Sequence, residues 1–82
     1  MKYEVLDNKI IYKENNEILA EITFIEKEHG VFDINHTFVD ESLRGKGIAS
    51  KLVEEAVKEI ETRNGKIQAT CSYAKTWIER RL

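Results

Sequence analysis

The amino-acid sequence predicts an α+β fold: an antiparallel meander of about four strands, then a helix, a parallel strand and a short C-terminal helix. Two periodicities carry this expectation. Up to residue 39 apolar side chains recur at every second position, and from residue 48 they recur at helical spacing. Length supplies a third constraint. A chain of 82 residues that is 41% hydrophobic fills one core rather than two, so residues 1–82 are expected to form one domain.

The elements follow in order. Tyr3 to Leu6 and Ile10 to Lys13 flank Asp7-Asn8-Lys9, which reads as a hairpin turn. After the turn Glu14-Asn15-Asn16-Glu17, the residues Ile18, Ala20, Ile22 and Phe24 alternate with Leu19, Glu21, Thr23 and Ile25. Glu26 to Gly30 reads as a polar turn. Phe32, Ile34, His36 and Phe38 then alternate with Asp33, Asn35, Thr37 and Val39, which places His36 on one face with aromatic and aliphatic neighbours. The period then changes. Ile48, Leu52, Val53, Ala56, Val57 and Ile60 form one face of an amphipathic helix, with Glu54 and Lys58 a favourable pair on the other. Asn64-Gly65 ends that helix. Lys66 to Cys71 reads as a strand with Ile67, Ala69 and Cys71 on one face, and Ser72 as the N-cap of a last helix carrying Tyr73, Ala74, Trp77 and Ile78. The strand–helix–strand unit requires a crossover, so the last two strands should run parallel.

Composition excludes several classes. There are four Gly and no Pro, and 34% of residues are charged, which suits neither a collagen-like nor a disordered chain. No run reaches the roughly 18 apolar residues that span a bilayer. The first residues lead into no apolar secretory segment, and a single cysteine, Cys71, cannot form an internal disulfide, so a cytoplasmic location is expected. The charge is uneven. Residues 1–41 carry ten acids against four bases, and residues 42–82 nine bases against five acids. The acidic half suits a cationic partner and the basic half an anionic one. With a net charge of −2 and no basic stripe interleaved with aromatics, nucleic-acid binding is not expected. Nor is a membrane role, since the amphipathic helix is needed for the core. Two histidines and one cysteine far apart offer no metal-site spacing.

The most informative stretch is Arg44-Gly45-Lys46-Gly47-Ile48-Ala49, between the fourth strand and the helix. The first amides of a helix lack backbone partners and its dipole makes that end positive. Glycines let a ligand approach without a Cβ in the way, and Arg44 and Lys46 add charge. Together these make a phosphate or pyrophosphate site. The stretch is not a Walker A loop, since Gly-x-x-x-x-Gly-Lys-Ser/Thr is absent. It is not a dinucleotide fingerprint either, since Ser50 stands where Gly or Ala is required and an antiparallel meander precedes it.

Arg44-x-x-Gly47-x-Ala49, placed after a strand and at the start of a helix, resembles the acetyl-coenzyme A signature of the GNAT N-acetyltransferase superfamily. His36-Thr37-Phe38-Val39 before the loop and Ala69-Thr70-Cys71-Ser72-Tyr73 after the next strand resemble the minimal, single-domain GNAT-type acetyltransferases. The resemblance implies a truncated GNAT-like fold and acetyl transfer from acetyl-CoA to an amine, such as a protein lysine or N-terminus. It implies that the pyrophosphate sits on the amides of Gly45 to Ala49, with Arg44 and Lys46 beside it. It further implies that the pantetheine arm lies between the splayed parallel strands, Asn35–Val39 and Lys66–Cys71, where backbone groups near Phe38 and Val39 pair with it and polarise the thioester. Ser72, Tyr73 and Lys75 would border the cofactor's thiol or adenosine phosphate. The helices that wall the acceptor groove in the larger superfamily have no counterpart here. An open groove is expected, or one completed by another molecule such as a second copy in a homodimer.

Two residues carry candidate catalytic roles, each beside a plainer one. Cys71 ends a strand and precedes a helix start, where a thiolate is stabilised below the usual value of about 8.5. It is a candidate nucleophile; packing, or lining an acetyl pocket, are the alternatives. His36 matches a histidine of the minimal family and could relay the amine's proton; a core histidine is the alternative. Glu41 could act as a base through water, though an acid beside the loop is also ordinary surface, and His29 reads as solvated. Trp77 reads as core. The alternative to an enzyme is a CoA-binding or acyl-CoA-sensing module, and beyond that an interaction domain whose loop binds nothing.

Overall fold

A computed structural model describes residues 3–81. Five strands form one sheet in sequence order: β1 (Tyr3–Val5), β2 (Lys9–Glu14), β3 (Glu17–Glu28), β4 (Val31–Val39) and β5 (Lys66–Ala69). The first four pair antiparallel, and β4 and β5 pair parallel. A single 3₁₀ turn, Glu41–Leu43, leads to α1 (Ile48–Thr62), and α2 (Ser72–Arg81) follows β5. The predicted element order is therefore the observed one, including the parallel pair.

The core lies between one face of the sheet and α1. Ile10, Ala20, Ile22, Phe24 and Ile34 meet Leu52, Val53, Ala56 and Ile60, all of them fully buried. Burying such side chains is worth about 1.5–3 kcal/mol each, which makes this layer the main stabilising contact. Leu43 and Ala74 join the same cluster, so the 3₁₀ turn and α2 are anchored on the helix side of the sheet. The solvent face of α1 is laced by Lys51 with Glu54 and Glu55, and by Lys58 with Glu54 at 3.7 Å, the pair expected from the spacing.

The structure corrects the alternation read along β4. Phe24 pairs with Ile34, but the next pair is Thr23 with His36, so Asn35 is an extra residue. Such a bulge shifts the side-chain parity downstream. Phe32 and Ile34 point into the core. Beyond Asn35 it is Thr37 and Val39 that share a face with Ile22 and Ala20, whereas His36 and Phe38 pair with Thr23 and Glu21 on the other face. His36 is exposed and not a core histidine, and the Phe38 side chain is 43% exposed. The same device acts on β3. Tyr12 pairs with Ala20 but Lys13 with Ile18, leaving Leu19 extra and Ile18 exposed.

Three terminal details also differ from expectation. β5 stops at Ala69 rather than Cys71. The residue of positive φ after α1 is Asn64, at +59°, not Gly65. Gly65 is needed for closeness instead: a Cβ there would lie 2.6 Å from Cδ1 of Phe32. Lastly, the Lys75 amide donates to the Cys71 carbonyl at 2.9 Å, so Cys71 and not Ser72 occupies the cap position of α2.

Candidate functional site

Parallel pairing of β4 with β5 is short. It runs from Val31 with Lys66 to Ile34 with Ala69 and stops there. At that point the amides of Thr70 and Cys71 both donate to the Ile34 carbonyl, each at 3.1 Å, and the chain turns into α2. β4 continues to Val39 with β3 on one side and no β5 partner on the other. The two strands thus splay, as expected, although the β5 arm of the splay is the turn at residues 70–71 and the start of α2 rather than strand. A cleft of about 400 Å³ opens there, and Thr37, Val39, Arg44, Gly45, Gly47 and Tyr73 are among its lining residues. Leu43, Ile48, Ala49 and Ser50 complete it.

The loop at one end of the cleft is built from its first residue. Asp40 accepts from the amide and hydroxyl of Ser42, at 3.0 and 2.6 Å, and starts the 3₁₀ turn. Those two bonds hold its carboxyl below the usual range against the opposing effect of desolvation, and the Arg44 guanidinium adds a lesser effect in the same direction as the bonds. Gly45 and Gly47 then take φ of +81° and +75°, a region costly to side chains with a Cβ. Nothing lies within 4 Å of where a Cβ would stand at either position, so backbone conformation and open access to the amides explain both glycines. Gly47 is the N-cap of α1 and supplies no side-chain cap. The first amide to bond within the helix is Lys51, to the Gly47 carbonyl at 3.1 Å. The amides of Ile48, Ala49 and Ser50 thus precede the helical ladder, and all three residues line the cleft. Arg44 lines it too. Lys46 is exposed on the loop outside the lining. Such a terminus suits an anion.

Beside the cleft's Thr37 stands Cys71. Its Sγ lies 3.6 Å from Oγ1 of Thr37, the residue that the bulge turns toward this side. Burial pushes the thiol up, but the amides of Ala74, Tyr73 and Thr37 and the Thr37 hydroxyl outweigh it and hold the thiol below its ordinary value. A thiolate here acts as the capping anion of α2, the place a Ser or Asp side chain often fills. Cys71 also packs against the core, so its packing and its electrostatic setting coexist. Tyr73 lines the cleft and is 44% exposed. Ser72 and Lys75 are exposed on α2 outside the lining. The Trp77 indole donates to Oγ of Ser50 at 2.8 Å and docks α2 on the first turn of α1.

The structure therefore brings Val39, Arg44, Gly45, Gly47, Ile48, Ala49 and Tyr73 together in one cleft, with Cys71 reaching it through Thr37. It sets His36 and the Phe38 ring on the opposite face of β4 from Thr37 and outside the cleft lining. Thr37, Leu43 and Ser50 line the site without having been singled out. Thr37 was hidden by the bulge, while Ser50 could have been found by its place in the first turn of the helix. Glu41 and His29 are exposed, and no metal-binding cluster occurs among the described residues. Nor, among them, is any helix long and apolar enough to cross a membrane.

Comparison with known proteins agrees with this architecture. A family profile described as GCN5-related N-acetyl-transferase matches residues 2–81. A GCN5-like protein of Staphylococcus aureus, solved by NMR in solution, is 33% identical, with 98% of this chain and 79% of that one covered and a TM-score of 0.78. A protein of Clostridium acetobutylicum classed as an acetyltransferase, and crystallised with acetyl-CoA, is 25% identical over 89% of this chain and 55% of its own, with a TM-score of 0.65. An IAA acetyltransferase of Bacillus cereus shares the fold at 18% identity, covering 88% of this chain and 51% of that one, with a TM-score of 0.70. The chain thus spans only about half the length of these last two. No curated protein matches it.

Proposed function

Because this chain belongs to the GCN5-related N-acetyltransferase family, whose members use acetyl-CoA, we propose that it transfers an acetyl group from acetyl-CoA to an amine. The observation that carries the proposal is the cleft at the β4–β5 splay, which runs from uncapped helix amides to Thr37, the residue whose hydroxyl lies 3.6 Å from the Cys71 thiol. The residues fit the cosubstrate. Positive-φ glycines keep the amides of Gly45 and of Gly47 to Ala49 accessible to a diphosphate, that of Lys46 being engaged by the Leu43 carbonyl, and the Arg44 and Lys46 side chains neutralise it. The unpaired edge of β4 at Phe38 and Val39 offers backbone groups to an amide-bearing arm, in the manner of an added strand.

Acetyl-CoA supplies an activated acyl thioester. Cys71, held as thiolate by the Thr37 hydroxyl and the first amides of α2, forms the new Sγ–acetyl bond as the acetyl–sulfur bond to CoA breaks and CoA departs as its thiolate. The acceptor amine then attacks the acetyl carbon, restores the Cys71 thiolate and gives up a proton. His36 lies on the opposite face of β4 from Thr37 and the thiol, so it takes that proton only through water at the strand's edge. With no helix over that face among the described residues, the acceptor can be as large as a protein lysine or N-terminus, and the acidic first half of the chain favours a cation.

Mass spectrometry after mixing with acetyl-CoA tests the covalent route. A single acetyl adduct on Cys71, lost on adding an amine, is the expected result. Cys71→Ala should lower turnover at least about a hundredfold, the scale of losing one group that acts in the transition state. Turnover at the wild-type rate in that variant would leave direct attack by the amine. Tight binding of acetyl-CoA with no turnover of any amine would leave a binding module instead.

A further inference from the structure

Asp33 is 1% exposed and sits on β4 opposite Gln68 of β5, on the sheet face turned away from the core. Its Oδ2 accepts from the Thr70 hydroxyl at 2.9 Å. Its Oδ1 is buried and has no hydrogen-bond partner among the described residues. Burying a polar oxygen without a partner is costly, and an apolar pair of the same shape at 33 and 70 would serve stability as well or better. The carboxylate is too enclosed to meet a substrate. Its one partner, however, is the residue before Cys71, at the corner where β5 leaves β4.

That corner is fixed at three points. The amides of Thr70 and Cys71 hang on the Ile34 carbonyl, and the Thr70 side chain hangs on Asp33. The groups that act on the thiol are Thr37 from β4 and the Tyr73 and Ala74 amides of α2, and none of them carries a charge. Their effect depends on where the corner puts the sulfur, because a hydrogen bond weakens steeply with misalignment.

We infer that Asp33 is a positioning residue for Cys71: through the Thr70 hydroxyl it bolts the β5–α2 corner where the thiol meets Thr37 and the first amides of α2. The inference deepens the proposed chemistry and rests on it for its purpose. Its test does not, since alkylation of Cys71 by iodoacetamide across pH needs no acetyl-CoA.

In the full chain, Thr70→Val and Asp33→Ala should each move the alkylation profile to higher pH and slow the reaction at neutral pH about three- to tenfold, the range set by one hydrogen bond. The double variant should be no slower than either alone. Thr70→Ser keeps the hydroxyl and Asp33→Asn keeps an acceptor, so both should stay within about twofold of the parent. In turnover assays kcat should fall with KM for acetyl-CoA unchanged. If Asp33→Ala proves too unstable to fold, Thr70→Val decides, because Thr70 is exposed and the exchange preserves shape. A folded Thr70→Val protein with an unmoved profile overturns the inference. So does a shift of Asp33→Ala to lower pH, since an effect of charge alone runs in that direction. Failure of the nucleophile reading would look different: Cys71→Ala would retain turnover while the alkylation shifts stood.

Discussion

At the scale of single residues, the site is made by conformations and hydrogen bonds that cost stability elsewhere. Gly47 takes a positive φ in open space, so Gly47→Ala should destabilise the chain by about 1–2 kcal/mol through the backbone alone. It should also weaken acetyl-CoA binding, which calorimetry would measure. Cys71 couples the site to pH. Its thiol value is depressed in the folded chain, so the unfolded state binds more protons between the folded and the ordinary value. The thiolate's stabilising contribution is therefore full above the ordinary thiol range and is lost as pH falls through the folded value. Urea denaturation from mildly acid to mildly alkaline pH should show wild type gaining on Cys71→Ala as pH rises. The glycine loop at the start of α1 and the place of Cys71 before a helix were legible because they depend on residue type and order. The face of His36 was not, because one unpaired residue upstream reverses it.

At the scale of elements, periodicity was sound wherever packing imposed it without interruption. α1 runs from Ile48 to Thr62 with the anticipated buried face, since five core residues at helical spacing leave no other pairing. Alternation failed at two of the sheet's bulges, those at Leu19 and Asn35. Neither is marked by glycine or proline, and a period of two cannot register one extra residue. Deleting Asn35 should remove the bulge yet leave His36 outward opposite Thr23 and Thr37 toward Cys71, so the pH profile of Cys71 alkylation should be retained. The end of α1 shows a second limit. Gly65 looks like a left-handed terminator, but Asn64 takes that role, and the glycine admits Phe32. Gly65→Ala should consequently cost about 1–3 kcal/mol by overpacking rather than by backbone strain, measured as a fall in the urea midpoint. Arg63 secures the same end by a different route. It lies over the rings of Phe24 and Phe32 and donates to the carbonyls of Asp7 and Leu6, which ties the helix terminus to the β1–β2 turn.

At the scale of the whole molecule, the division of charge and the shape of the sheet act together. The basic second half carries the loop and α2, so acetyl-CoA affinity should fall with rising ionic strength, as expected for an anion held at an exposed site. Bound at about a hundred times its dissociation constant, acetyl-CoA should add about 2.7 kcal/mol of stability, seen as a rise in melting temperature. An equal concentration of free acetate should give none. That linkage follows from the unzipped seam between β4 and β5. A chain this small has little interior to spare, yet it leaves five residues of β4, Asn35 to Val39, without a β5 partner. Whatever molecule threads the seam stands in for the missing strand, and the lifetime of the folded protein becomes tied to the supply of its own reactant.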